Sequence, residues 1–588
     1  MRPIKTSAAF SSTVLLIAFL MPMPGLAEGE GQYSPLEFQP QGLNHVGVYA
    51  LRRIEPALTG LGVRFGIVCR SITYTNGEPQ NDYRPYAEHK CFRAGQFTFH
   101  DSGDPPPGIS PHSTAVCSIL LGEDPGALNP QLGSFYYQGV APSATADVYE
   151  LWYFLTSRVF PQLPVDADVV TAGFGQQFED WWTRGIESLV EHQGLIVVAG
   201  IGNGSDLCDP PLYPGAAANV IGVGVVDSVN TEDLATNLSH FALAYPQHSS
   251  FGPTADARCK PDIVAPGNCL AAGVSDPELY ELTGDWSSFS TPVTAGAIGL
   301  LVQKAEAEPR LNLAVSSGGG NCVIRAIVMN AATKLPFWHK GELSPDDDHL
   351  VPLDYVQGAG MLDVVNAYEH LIAGRNRPGD VPTTGWDNHR LVRGDTVDSV
   401  YRIAVPEPKD KLITATLVWN RHYRDVYPFE RDVAKDCNLR LELWATDASG
   451  GGEDILLDYS DSSVDNVEHI CCRALQDYDS YEIVVCFSDS TEPRGTAISE
   501  RYGLAWNVCR QGSQDSIFWR DLNADGIVNE LDLAVLLDSL GSSVDSPNSY
   551  LFGDVNTDGA IDMRDVQVLL DDIRRRADWH PQGERPSE

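Results

Sequence analysis

The chain has 588 residues, too many for one hydrophobic core, and at roughly 150 residues per domain it divides into three or four units. Its 43% hydrophobic and 9% aromatic content excludes wholesale disorder. With 79 acidic against 40 basic side chains the formal net charge is −39, which excludes nucleic acid or an anionic membrane as the main partner and makes calcium the natural complement.

In chain order, Arg2 and Lys5 precede an apolar run from Thr13 to Met23 and the small Gly25-Leu26-Ala27. Residues 1–27 therefore read as a secretory signal, and the protein is expected to be secreted or cell-surface. The run is shorter than the roughly 20 residues that cross a bilayer, and no later stretch qualifies, so no membrane span is expected. Residues 28–44 form a short leader. Twelve cysteines in an exported chain suggest disulfides; none shows metal-binding CxxC spacing, and their pairing stays open.

Residues 45–372 alternate uniformly apolar runs (Phe65 to Val68, Asp168 to Ala172, Leu195 to Ala199, Val220 to Val226) with stretches of helical period. That is the pattern of an α/β domain, a parallel sheet with helices on both faces. The Gly/Pro/Thr-rich 373–388 reads as a linker. Residues 389–510 carry short alternating runs (Leu412 to Trp419, Leu439 to Trp444, Tyr481 to Phe487), which predict an all-β antiparallel sandwich with nothing catalytic in it. After the polar 510–516 come two similar units, from Asp521 and Asp554, inside a small all-α module at 515–575; residues 576–588 read as a disordered tail.

Three segments carry chemistry. SSFSTPVTAGAIGLLVQKAEA puts Ser288 at the mouth of a helix, with Pro292 placed in the first turn, where free amides and the positive end of the dipole face a developing oxyanion. PHSTAVCSILLGE puts His112 at the start of a second helix, as a base for the serine hydroxyl. LIVVAGIGNGSD ends a strand in a Gly-rich turn with Asn203, a potential oxyanion donor. Taken singly, each also has a purely structural reading: a capped core helix, a core histidine, a tight turn.

Together and in this order, HSTAVCSILLG, VVAGIGN and SFSTPVTAG resemble the HGTHVAG, AAGN and SMATPHVAG blocks of the subtilisin-like (subtilase) family, over roughly residues 45–372. SSFGPTADARCKPDIVAPG (249–267) looks like the family's approach to its catalytic helix. The resemblance implies a secreted serine endopeptidase acting on polypeptides, with Ser288 as nucleophile, His112 as general base and Asn203 as oxyanion donor. Gly173, Phe174 and Gly175 would pair with the substrate main chain. Subtilases often carry a folding prodomain of several tens of residues; residues 28–44 are too few, so none is expected.

The family's aspartate falls on FGIVCRS (65–71), where Cys69 stands in its place. Losing that carboxylate costs about 10⁴ in turnover where tested. Burial would raise the thiol's pKa and a nearby imidazolium would lower it. A disulfide at Cys69 would remove the question. Ser113 replaces a Gly, and Trp286-Ser287 replaces Gly-Thr. Three readings stay open: a weakened peptidase, a pseudopeptidase that binds peptides without cutting them, and a triad compensated by Asp101, Asp104, Asp166 or Asp168. The sandwich segment is similar in order to the β-sandwich behind some bacterial subtilase domains, with a buttressing or substrate-binding role.

In the terminal repeats, Asp521, Asn523, Asp525, Asn529 and Asp532 occupy positions 1, 3, 5, 9 and 12 of a loop, as do Asp554, Asn556, Asp558, Asp562 and Asp565. Ile527 and Ala560 would add backbone carbonyls, giving oxygen sets suited to calcium. Ending in Asp rather than Glu, with one helix after each loop, they resemble a type I dockerin, which implies a cohesin-type scaffold as partner.

Overall fold

The computed structural model describes residues 43, 46–204, 210–226, 249–510, 529–543 and 560–578, apart from 71–73, 76–77, 105, 130–132, 268, 285, 317, 335–337, 342–348, 395–398, 410, 447–452 and 489–496. The signal reading (1–27), nearly all of the leader and the last ten residues lie outside them.

Seven strands build the first sheet: β1 (Arg64–Cys69), β2 (Phe97–His100), β3 (Thr145–Glu150), β4 (Val169–Ala172), β5 (Ile196–Gly200), β6 (Ile221–Val226) and β7 (Ile263–Pro266). They are parallel throughout, in the order β7-β6-β5-β4-β1-β3-β2. The runs are uniformly apolar because both faces are covered. On one face lie helices α1 (Pro111–Leu121) and α3 (Ser287–Ala307); on the other, α2 (Trp181–Gln193) packs with Leu151, Phe154 and Val159. α3 runs buried through the domain, which its Ala/Gly-rich sequence permits. Pro292 is its sixth residue, not in the first turn as expected. A proline in the second turn withholds the amide that would bond the Ser288 carbonyl, and the helix is carried past it by burial.

The β-rich region follows as two packed sheets. Gly379–Val381, Ser399–Ala404, Ser480–Phe487, Leu439–Thr446 and Ile455–Ser460 form one; Thr384–Val392, Ser499–Arg510, Lys411–Trp419 and Val467–Arg473 form the other. All pairs are antiparallel except Gly379–Val381 with Ser399–Ala404. Half of the expected linker is strand: Trp386 and Asp387 are fully buried, and Asp387 accepts from Arg375 Nε (2.7 Å) and Tyr401 Oη (2.9 Å). Its polar residues are satisfied by distant partners, so it enters the sheet rather than solvent.

The four-stranded sheet packs on α4 (Gly320–Asn330) of the α/β domain. The approach is close enough that a Cβ at Gly503 would lie 2.5 Å from Val323 N. Polar ties cross the same boundary. Asn219 Nδ2 donates to the Arg421 carbonyl and Asn219 Oδ1 accepts from its amide, both at 2.8 Å, while the Cys259 amide donates to Asp465 at 2.8 Å. His422 bridges Glu191 of α2 (2.6 Å) and Glu500 of the sandwich (2.9 Å).

At the carboxyl end, α5 (Glu530–Asp538) and α6 (Met563–Asp578) pack through Leu536, Ile561, Val566 and Leu569. α6 runs three residues into the stretch read as a tail.

Burial opposes a charge on His422, but its bonds to Glu191 and Glu500 outweigh it and raise the pKa to about 10. A raised pKa stabilises the fold fully below the unfolded histidine's value near 6.5 and ceases to as pH passes about 10. His422→Ala leaves two carboxylates facing each other and is expected to cost about 3–5 kcal/mol near pH 7. Denaturant unfolding of native and variant protein at pH 7 and pH 10.5 should show that gap closing at the higher pH; an unchanged gap would contradict the assignment.

Candidate active site

The carboxyl ends of β1, β4 and β5 and the amino ends of α1 and α3 converge on a cleft of about 410 Å³. This is where open parallel sheets place their ligand crevices. Its lining includes His112, Gly173, Phe174, Gly175, Asn203 and Ser288.

α1 begins at Pro111, capped by Ser110, whose hydroxyl accepts from the Ser113 amide (3.2 Å). His112 is thereby the second residue of a fixed helix, only 9% exposed. Ser288 is the second residue of α3. Both border Gly173: a Cβ there would lie 3.8 Å from His112 Nε2 and 4.0 Å from Ser288 Cβ, and only 3.1 Å from His112 Cε1. Any larger residue at Gly173 would push the imidazole.

Asn203 follows β5. Its Oδ1 accepts from the Ser287 amide (2.9 Å) and hydroxyl (2.9 Å), and the Gly202 amide donates to that hydroxyl (3.2 Å). A backbone amide can only donate, so the carboxamide oxygen must face Ser287 and Nδ2 is left for the cleft. Around Ser288 the amides of Phe289 and Ser290 are taken by the Trp286 carbonyl (2.9 and 3.3 Å), leaving the Ser288 amide as the remaining donor of that turn. Ser287, which the sequence presents only as a departure, is the stitch that aims Asn203.

Cys69 ends β1, 3% exposed, and burial raises its thiol to a pKa of about 11, with Ser113 beside it acting in the opposite direction. It is a neutral thiol at physiological pH. His112 Nδ1 is buried with no partner among the described residues, and burial lowers the imidazole's pKa to about 4. Among the described residues none of the carboxylates offered as substitutes bonds to His112 Nδ1. Asp101 is held by Tyr83 and Arg84, Asp104 is exposed, and Asp166 and Asp168 bind Arg64. Arg64 begins the strand that Cys69 ends, roughly 16 Å away along it. Cys69, Cys91, Cys117, Cys259, Cys322 and Cys437 are thiols, not disulfides.

Beyond β4, Gln176 exchanges both backbone hydrogen bonds with Tyr213 (2.9 and 2.8 Å), while Gly173, Phe174 and Gly175 face the cleft. Phe174 leans on Trp182, ring centres 5.7 Å apart. Trp286 stacks on Phe289 at 6.0 Å and 11°, forming the rim. Arg70 and Leu212, which the sequence does not single out, also line the cleft. Leu212 gives no signal in sequence, being one apolar residue in a proline-rich turn.

Of the candidate calcium ligands, Asp521, Asn523, Asp525, Ile527, Asp554, Asn556 and Asp558 lie outside the described residues. The remainder repeat one arrangement: Asp532 accepts from the Asn529 amide (2.7 Å) and Asp565 from the Asp562 amide (2.8 Å), both carboxylates fully buried. This donor set is all oxygen, which fits a hard cation.

The parallel sheet with helices on both faces and the cleft at its carboxyl edge are those of a subtilisin-like domain, and the chain belongs to the subtilase family, whose model matches residues 45–358; the type I dockerin domain model matches residues 520–573. A subtilisin-like protease of Arabidopsis thaliana is 25% identical over 272 residues, 44% of this chain and 22% of that protein. The C5a peptidase of Streptococcus pyogenes is 32% identical over 139 residues, 22% of this chain and 10% of that protein. The chain thus spans only a tenth to about a fifth of the length of these relatives. The solved PatG macrocyclase in complex with peptide covers 55% of this chain and 95% of its own, at 17% identity and a TM-score of 0.37.

A carboxylate at position 69 would favour the imidazolium. Cys69→Asp is therefore expected to raise the His112 pKa from about 4 toward or above 6.5, read from the histidine's NMR titration. An unmoved titration would show that residue 69 does not reach the ring.

Proposed function

We propose that the chain is a secreted subtilisin-like serine endopeptidase, weakened by Cys69, with a calcium-dependent dockerin module at its carboxyl end. The observation that carries the reading is that His112 Nε2 and Ser288 Cβ both border the Gly173 Cβ position, at 3.8 and 4.0 Å, in one cleft. Ser288 Oγ attacks the peptide carbonyl carbon and its proton passes to His112 Nε2. The oxyanion is held by Asn203 Nδ2 and the Ser288 amide, a donor of the kind worth about 10² to 10³ in rate. As the C–N bond breaks, His112 returns the proton to the leaving amine, and water, activated by the same base, releases the acyl group. With a pKa near 4 the imidazole is in its basic form at neutral pH, but its protonated form finds no acceptor at Nδ1. Proton uptake is therefore the costly step.

That same unpartnered nitrogen favours a second reading, a pseudopeptidase that holds peptides in the cleft without cutting them. Labelling of the full-length protein by a fluorophosphonate separates the two. Labelling lost in Ser288→Ala, and at least about 10-fold faster in Cys69→Asp, is expected of the weakened enzyme. Absence of labelling in the native protein with recovery in Cys69→Asp would establish the pseudopeptidase.

The domain reading that accompanies this is a signal at 1–27, a leader at 28–44, a peptidase domain at 45–372, a sandwich at 389–510 that buttresses it and a dockerin at 515–575. Calcium would be held by Asp521, Asn523, Asp525, Ile527, Asn529 and Asp532 in one loop and by Asp554, Asn556, Asp558, Ala560, Asp562 and Asp565 in the other. The partner would be a cohesin-type scaffold. The support for export is the amino-terminal composition; among the described residues no helix is long and apolar enough to cross a membrane. Calcium added to chelated full-length protein is expected to slow hydrogen exchange across residues 529–578. Asp532→Ala and Asp565→Ala should each weaken that response at least about tenfold in calcium concentration. Exchange indifferent to calcium would remove the metal from the reading.

A further inference from the structure

We infer that Leu212 makes this cleft selective for a small, uncharged side chain on the acyl side of the scissile bond; the inference rests on the peptidase reading above. Two glycine-bearing segments flank Ser288, one at Gly173 and Gly175 beyond β4 and one at Gly200 and Gly202 at the end of β5, and both line the cleft. Leu212 lies between them. A Cβ at Gly175 would sit 2.8 Å from Leu212 Cβ and 3.1 Å from its Cδ1, and a Cβ at Gly202 would sit 3.0 Å from its Cγ. One side chain therefore touches both walls.

Its main chain is tied to both as well. The Leu212 amide donates to the Ile201 carbonyl (2.7 Å), and its neighbour Tyr213 is paired with Gln176 beyond Gly175. The Leu212 carbonyl accepts from the Ala216 amide (2.8 Å). Leu212 is half-buried, and it lines the cleft. A side chain entering between the glycine walls meets the leucine methyls before it gains the depth that an aromatic ring needs, and an isobutyl floor offers nothing to a charge. Packed walls yield only at a cost, so an apolar pocket filled in this way discriminates by size. A single methylene in such a pocket is worth about 10- to 200-fold.

The test uses full-length protein and internally quenched peptides that differ only in the residue preceding the cut, Ala, Leu or Phe. The native enzyme is expected to favour Ala over Phe in kcat/KM by at least about 100-fold, and Leu212→Gly to raise the Phe-to-Ala ratio at least about 30-fold, with Leu212→Ala between them. The same peptides are titrated against Ser288→Ala with and without Leu212→Gly, with circular dichroism to verify folding. If nothing is cleaved but binding follows the same size order, the selectivity stands and the peptidase reading falls. If peptides are cleaved and Phe is accepted as well as Ala, or if a folded Leu212→Gly protein leaves the ratio unchanged in both readouts, the selectivity is overturned and the peptidase reading stands. Neither cleavage nor binding overturns both.

Discussion

Two hydrogen bonds accepted by one carboxamide oxygen join the end of β5 to the start of α3, and the candidate site depends on them. Asn203 Oδ1 takes the Ser287 amide and hydroxyl, each at 2.9 Å. Strand and helix come from segments 84 residues apart. A buried helix can slide or rotate a little within its groove, whereas a helix whose first amide is bound by a strand-end side chain cannot do so without losing that bond. The same contact turns the Asn203 amide toward the cleft, so one interaction both registers Ser288 and aims the donor beside it.

Against this well-held half, the proposed base is held differently. His112 is fixed by its helix, by the Ser110 cap and by the contact with Gly173, with its inner nitrogen unanswered. Packing can orient a ring, but it cannot supply the negative charge that makes protonation favourable in a buried place. At this proposed base, packing orients the ring, while among the described residues no carboxylate meets its Nδ1.

Much of this was legible in the sequence where the signal is local. Uniformly apolar runs mark strands covered on both faces, and the blocks around His112, Asn203 and Ser288 mark strand ends and helix starts. What escaped is whatever depends on distant partners. Residues 384–388 read as linker because the stretch 373–388 is rich in Gly, Pro and Thr, yet Asp387 and Asn388 are buried against Arg375, Tyr401 and Arg501. Ser287 looks like a blemish until its bonds to Asn203 and Gly202 are seen. Asp166 and Asp168 are near Cys69 in no sense that matters, since they lie at the opposite end of the strands, a fact that register reveals and spacing does not. Pro292 sits one turn deeper than the motif suggested because the helix begins at Ser287.

The strand Ser499–Arg510 pairs with both Thr384–Val392 and Lys411–Trp419 and lies on α4, with Gly503 nearly touching the helix backbone. A chain made amino end first therefore completes the peptidase segment long before the surface that covers α4 exists. During that interval α4 waits for its cover, which Thr384–Val392 and Lys411–Trp419 begin and Ser499–Arg510 completes. The α/β domain is therefore fully covered only late in biosynthesis, after more than a hundred further residues have emerged.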